Sequence, residues 1–195
     1  GRSFVVLDDY SPLRHLDETS LAGPALLFPV KKALSYIPLR PIDSPAKNSL
    51  GETFYLAPNP PFGAVFTYYL KDALRTSAEA RREDEKTRLK DGKPVTFPGW
   101  DALRKEEQEQ KPEIVLTVTD EAGQVVRRIT GPTGKGLHRV AWDLRYPAVD
   151  PTQLDASPRE SWEYAPQGPL VVPGTFRATL SKNVDGVVTP IAPPQ

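Results

Sequence analysis

At 195 residues and 21.6 kDa the chain is long enough for one substantial domain, or one domain with a long appendage. Lys plus Arg and Asp plus Glu number 25 each, so the formal net charge is zero and no global field steers the molecule toward nucleic acid or an anionic membrane. Cysteine is absent, which excludes disulfides and thiolate chemistry, while 22 prolines and only 38% hydrophobic residues imply much irregular or extended chain.

Methionine is also absent, and a chain opening at Gly1-Arg2-Ser3 reads as a processed product or a piece of a larger protein. No apolar run approaches the roughly 20 residues of a membrane span, so no membrane-spanning segment is expected.

Ser3-Phe4-Val5-Val6-Leu7 is a short apolar run ended by Asp8-Asp9 and reads as a strand with little chain before it to pair with. Phe4 and Val6 would face one way, Val5 and Leu7 the other. A strand apolar on both faces suits the inside of a covered sheet and makes a poor free edge. Residues 3–7 are therefore expected to pair with strands of another body. Residues 15–61 carry apolar pieces such as Ala25-Leu26-Leu27-Phe28 and Tyr36-Ile37-Pro38-Leu39, separated by prolines at 24, 29, 38, 41 and 45. Proline removes a donor and restricts its predecessor, which predicts an extended strap across another surface; the alternative is a disordered linker.

Residues 64–70 alternate as the first strand of a sandwich should, with Ala64, Phe66, Tyr68 and Leu70 on one side. Residues 72–110 are charged and lack a broad apolar face; two helical pieces, 72–90 and 101–110, read as a solvated insertion anchored by Trp100. Strand alternation resumes at 113–119, turns at Glu121-Ala122-Gly123, returns at 124–129, and closes with an Asp185-Gly186 hairpin before residues 187–191. Between these come the two most regular segments. His138, Val140, Trp142 and Leu144 share one side of the first, and Phe176, Ala178 and Leu180 share one side of the second, which Pro173-Gly174 turns into place. The fold class expected is all-β: an immunoglobulin or fibronectin III-like β-sandwich with a charged helical insertion. Its divisions are a separate strand-bearing segment at 1–14, a proline-rich strap at 15–61 and the sandwich at 62–195.

Chemistry is sparse. Gly131-Pro132-Thr133-Gly134-Lys135-Gly136 superficially suggests a phosphate loop. Leu137 stands where the lysine is required, no Ser or Thr follows for magnesium, and the segment leads into a strand; a connecting loop is the better reading. His15 and His138 are far apart in sequence, with no carboxylate at helical ligand spacing and no Gly-x-Ser-x-Gly elbow. Carboxylate pairs such as Asp8 with Asp9, or Asp143 with Glu163, are expected by chance among 25 acids. No catalytic residue, metal ligand or cofactor is expected. Trp100, and Trp162-Glu163-Tyr164 in the crossover, are candidates for a glycan or partner contact, against the plainer reading that Trp162 lids the sandwich.

Residues 1–14, Gly-Arg-Ser-Phe-Val-Val-Leu-Asp-Asp-Tyr-Ser-Pro-Leu-Arg, resemble the final propeller strand of large secreted bacterial proteins with sialidase-like (BNR) or sortilin-like repeats, often labelled glycosyl hydrolases. Asn59-Pro60-Pro61 through Lys71, Gly136 through Pro147, Gly168-Pro169, and Val172-Pro173-Gly174-Thr175 resemble the tail domain of that family. The tail is similar to the immunoglobulin-like domain of the flagellar hook-capping protein, with its Trp-Asp followed by a Pro-x-Gly-x-aromatic strand. The resemblance implies a secreted, periplasmic or cell-surface module that docks through Phe4, Val5, Val6 and Leu7 on a β-propeller of the same parent or another chain, and contacts protein or glycan. The alternative it implies is the terminal part of a glycan-processing hydrolase. Since the chain holds no propeller blades and no Ser-x-Asp-x-Gly-x-Thr-Trp box, that active site would lie outside it.

Overall fold

A computed structural model of the chain describes residues 9–37, 53, 59–149 and 165–195. It is mostly β, with two antiparallel sheets of three and four strands and a few helices. The first sheet comprises β1 (Ala25–Leu27), β2 (Ala64–Leu70) and β5 (Gly136–Trp142), with β2 in the middle. The second comprises β3 (Glu113–Thr119), β4 (Val125–Gly131), β6 (Arg177–Val184) and β7 (Val187–Pro190), in the order β4-β3-β6-β7.

Alternation builds the core. Ala64, Phe66, Tyr68 and Leu70 of β2 and Trp142 of β5 meet Ile114, Leu116 and Val118 of β3 and Ala178 and Leu180 of β6 in one buried cluster, so the sheets face each other in a sandwich-like arrangement. Each fully buried side chain of this size contributes about 1.5–3 kcal/mol, and these residues dominate the stability of the body. The ladder of β3 and β4 shifts register between Val118 and Thr119, and this bulge turns Val126 inward so that β4 also reaches the cluster. Asp185 and Gly186, at φ 50° and 80°, form the tight turn joining β6 to β7 that the Asp-Gly pair predicts.

Several elements depart from the sequence reading. β1 lies inside the span expected to be a strap: it pairs with β2 from Ala25↔Leu70 to Leu27↔Tyr68, and the Phe28 N–H continues the ladder to the Thr67 carbonyl at 3.0 Å. Pro24 and Pro29 confine it to three residues, too short for alternation to show. β5 stops at Trp142, because Leu144 takes φ 57° and leaves the strand, although it still packs against the core. In the insertion, α2 (Ser77–Lys90) starts later than charge alone indicates. Thr76 and Glu79 form a reciprocal capping box that sets its first turn. α3 (Trp100–Gln108) begins at the tryptophan itself, and neither helix holds a buried residue.

Candidate functional site

The two motif segments meet where the chain passes between sheets. The indole ring of Trp142 stands edge-on to Phe176 at 5.2 Å, and its N–H donates to the Arg145 carbonyl at 3.0 Å. Past the end of β5, the Val171 N–H donates to the Leu144 carbonyl and the Tyr146 N–H to the Pro169 carbonyl, while the Arg145 guanidinium donates to the Gly168 carbonyl at 2.8 Å. Gly168 is held so close that a Cβ there would sit 2.0 Å from the Tyr146 carbonyl oxygen, so the Gly168-Pro169 motif serves close backbone approach. This junction is structural glue.

The loop joining β4 to β5 is pinned through its carbonyls. The Tyr68 hydroxyl donates to Pro132 at 2.6 Å, the Leu74 N–H to Thr133 at 2.9 Å, and the His138 ring through Nε2 to Gly134 at 2.6 Å. A phosphate cradle offers N–H groups, whereas these contacts are made by the opposite end of the peptide. Burial pushes the Tyr68 hydroxyl well above its ordinary pKa, and its ring lies 5.2 Å from that of His138, its cross-strand partner. His15 ends the 3₁₀ turn Ser11–His15 and is exposed. Asp143 accepts from the Arg145 N–H at 3.2 Å; its supposed partner Glu163, like Asp8, lies outside the described residues.

The outer face of the three-stranded sheet carries more. Leu137, Arg139 and Ala141 of β5 point away from the core beside Tyr69, Thr67 and Val65 of β2. Over this side runs an arm comprising the 3₁₀ turn and the short helix α1 (Glu18–Ala22), which Asp17 and Ser20 cap reciprocally. Arg139 donates to the Asp9 carbonyl at 3.4 Å, Lys71 Nζ to the Ala22 carbonyl at 3.1 Å, and Pro12 is buried. Phe28, which alternation sends to the opposite side from Leu27, is buried too. Hydrogen bonds from the Ser11 hydroxyl and N–H hold the Asp9 carboxyl below its ordinary pKa, with Lys31 and Arg139 adding to the effect. Tyr10, Leu13 and Leu137 remain exposed at about half of their surface. Arg14 donates to the Tyr10 hydroxyl at 2.6 Å. The signal for this face was present in the sequence, since residues 137, 139 and 141 are the other half of the alternation that marks Trp142.

Of the residues singled out for contact, Trp100 is 71% exposed and stands edge-on to Phe97 at 5.3 Å, at the foot of α3. It does not anchor the insertion to the body; Phe97, itself exposed, was missed as its companion. What ties the helices together is Arg81 of α2, whose guanidinium grips both oxygens of Glu106 at 2.7 Å and also reaches Glu85 of its own helix at 2.6 Å, and Glu109 at the end of α3, which accepts from the Ser77 N–H at 2.7 Å. Hydrogen bonds to Glu106 raise the Arg81 pKa, and Arg81 in turn lowers that of Glu106. Phe4, Val5, Val6, Leu7, Trp162 and Tyr164 lie outside the described residues.

Among the described residues no group of three or more His, Cys, Asp or Glu side chains is placed to hold a metal ion, and no helix is long and apolar enough to cross a membrane. No family model, curated protein or solved structure matches the chain.

Proposed function

We propose that the chain is a non-catalytic, immunoglobulin-like β-sandwich module that docks on and braces a β-propeller, in the same polypeptide or in another chain, within a secreted bacterial protein. The observation that carries this reading is the arm on the outer face of the three-stranded sheet. It leads from β1 back to Asp9, beside Arg139 of the edge strand β5, and in the sequence Asp9 directly follows the apolar run 3–7 and Asp8. Exposed Tyr10, Leu13 and Leu137 share the side with the cations Arg14, Lys31 and Arg139, an apolar patch with a polar rim of the kind that interfaces use.

Photo-crosslinking in the producing cells tests it. A benzophenone side chain is placed at Leu13 or Leu137, and at Val188 on β7 as the control. Cross-linked peptides from a sequence with propeller repeats, obtained from positions 13 and 137 and absent from 188, are expected. Cross-links at 13 and 137 that fall only on non-propeller sequences, or that match those from 188, would overturn the docking reading.

A further inference from the structure

At the end of the body where β3 turns into β4 and β6 begins, a half-open hollow of about 340 Å³ is bounded by Asp120, Glu121, Thr175, Phe176, Arg177 and Gln195. That volume lies at the small end of the roughly 300–1,000 Å³ typical of ligand sites, enough for a single ring. Its walls are fixed by contacts already described or made close by. The β3–β4 turn is locked by the Gly123 N–H to the Asp120 carbonyl at 3.0 Å and by the Gln124 N–H to Asp120 Oδ1 at 2.8 Å. The Phe176 ring is held by Trp142, and the Gln195 backbone exchanges both hydrogen bonds with Ala178.

The lining is chemically mixed. Phe176 supplies an aromatic surface, the carboxylates of Asp120 and Glu121 are acceptors, and the Arg177 guanidinium is a donor, with the Thr175 hydroxyl able to act as either. Glu121 and Arg177 are exposed and enter no ion pair with another described residue. Two carboxylates against one guanidinium disfavour an anion, and a bare cation lacks a third ligand. A neutral polyol ring suits this lining, because its hydroxyls can donate to carboxylates and accept from a guanidinium while its C–H face can lie against a phenyl ring. We propose that this hollow binds one neutral pyranose unit of a glycan. The site is separate from the docking face and from Trp100, so it stands or falls independently of the proposed function.

Amide-resolved NMR titration of the intact chain decides the matter. The probes are methyl β-glucopyranoside, methyl β-galactopyranoside and N-acetylglucosamine, with N-acetylneuraminic acid as the anionic comparison. Saturable millimolar binding of at least one neutral sugar is expected, with shifts confined to residues 119–123, 175–177 and 195. Glu121→Gln and Arg177→Gln should each weaken it by about tenfold, the worth of one charge-assisted hydrogen bond. Should the Arg177 variant fail to fold, Glu121→Gln on the exposed turn decides alone. Absence of saturable binding by all three neutral sugars, stronger binding of the anionic one, shifts centred on Trp100, or indifference to Glu121→Gln would each overturn the proposal.

Discussion

The two-sheet body and the helical pair within it are held by opposite means. The body buries Tyr68, Leu116, Ile114, Leu180 and Trp142 almost completely, whereas α2 and α3 bury no residue and are joined by polar contacts, the Arg81 guanidinium with its carboxylates and the Ser77 N–H with Glu109. Burial is non-directional and cumulative, so the stability of the body is spread over many close-packed side chains and the largest losses come from emptying the largest buried sites. A partly buried ion pair between two surface helices is directional, so the helical pair should respond to single charges without disturbing the sheets. The difference predicts a protein with two tiers of stability, each open to separate attack.

The largest effect is expected at Trp142. Truncation to Ala empties a site between the sheets, removes the edge contact with Phe176 and leaves the Arg145 carbonyl without its donor. Trp142→Ala should cost about 3–5 kcal/mol. Chemical denaturation followed by far-UV circular dichroism measures it; an unchanged midpoint would mean that the tryptophan does not join the two sheets.

A smaller and more specific effect is expected where the sheets touch through Tyr68 and Gly131. A Cβ on Gly131 would come within 2.4 Å of the Tyr68 hydroxyl oxygen, so Gly131→Ala forces the ring or the end of β4 to move, at about 1–3 kcal/mol. Tyr68→Phe alone gives up the hydrogen bond to Pro132 and should cost about 1 kcal/mol. In the double variant the offending oxygen is gone, and the remaining approaches of 3.1 and 3.2 Å to ring carbons are tight but adjustable. The two changes should therefore cost less together than their sum, and strict additivity in a double-mutant cycle would show that the hydroxyl is not what the glycine accommodates.

How much of this was legible in the sequence follows the same division. Alternation exposes any strand of about seven residues with one buried face, which is why β2, β3 and β5 can be read directly. It cannot reveal β1, whose three residues between prolines gain their identity only from β2 beside them. Nor can it show that β5 ends at Trp142, since the backbone turn at Leu144 is set by the Leu144–Tyr146 and Pro169–Val171 segments pairing across the gap. In the insertion the lack of an apolar stripe was legible, and the Thr76-x-x-Glu79 cap was there to be read. The partnership of Arg81 with Glu106, 25 positions apart, carries no periodicity. Candidate sites are harder to read for a related reason: Trp100 stands out by residue type, but a surface made by Asp120, Phe176 and Gln195 exists only once three distant stretches have been brought together.

Removing the helical pair should do little to the body. Replacement of residues 77–108 by a short Gly-Ser linker deletes no buried side chain and spares the Leu74 to Thr133 hydrogen bond, so the unfolding free energy of the sheets should change by no more than about 0.5 kcal/mol. Loss of cooperative unfolding in the shortened protein would show that the helices complete the core.

The smallest effect concerns one proton. The Glu106 carboxyl lies below its ordinary pKa, first because Arg81 hydrogen-bonds to it and then through the attraction of Arg81 and Arg82. A carboxyl whose pKa is lower when the helices are paired binds fewer protons in that state. Its contribution is therefore complete above the ordinary carboxylate pKa and is lost as the pH falls below that value through the depressed one. Hydrogen exchange in α2 and α3 should accelerate across that acid window while the amides of β3 and β6 hold, and Glu106→Gln should bring the faster exchange to neutral pH. Arg81→Ala must do the same if the grip is mutual. Equal protection of the helices in wild type and both variants, at neutral pH and in acid, would assign their pairing to something other than this ion pair and would remove the distinction between the two tiers.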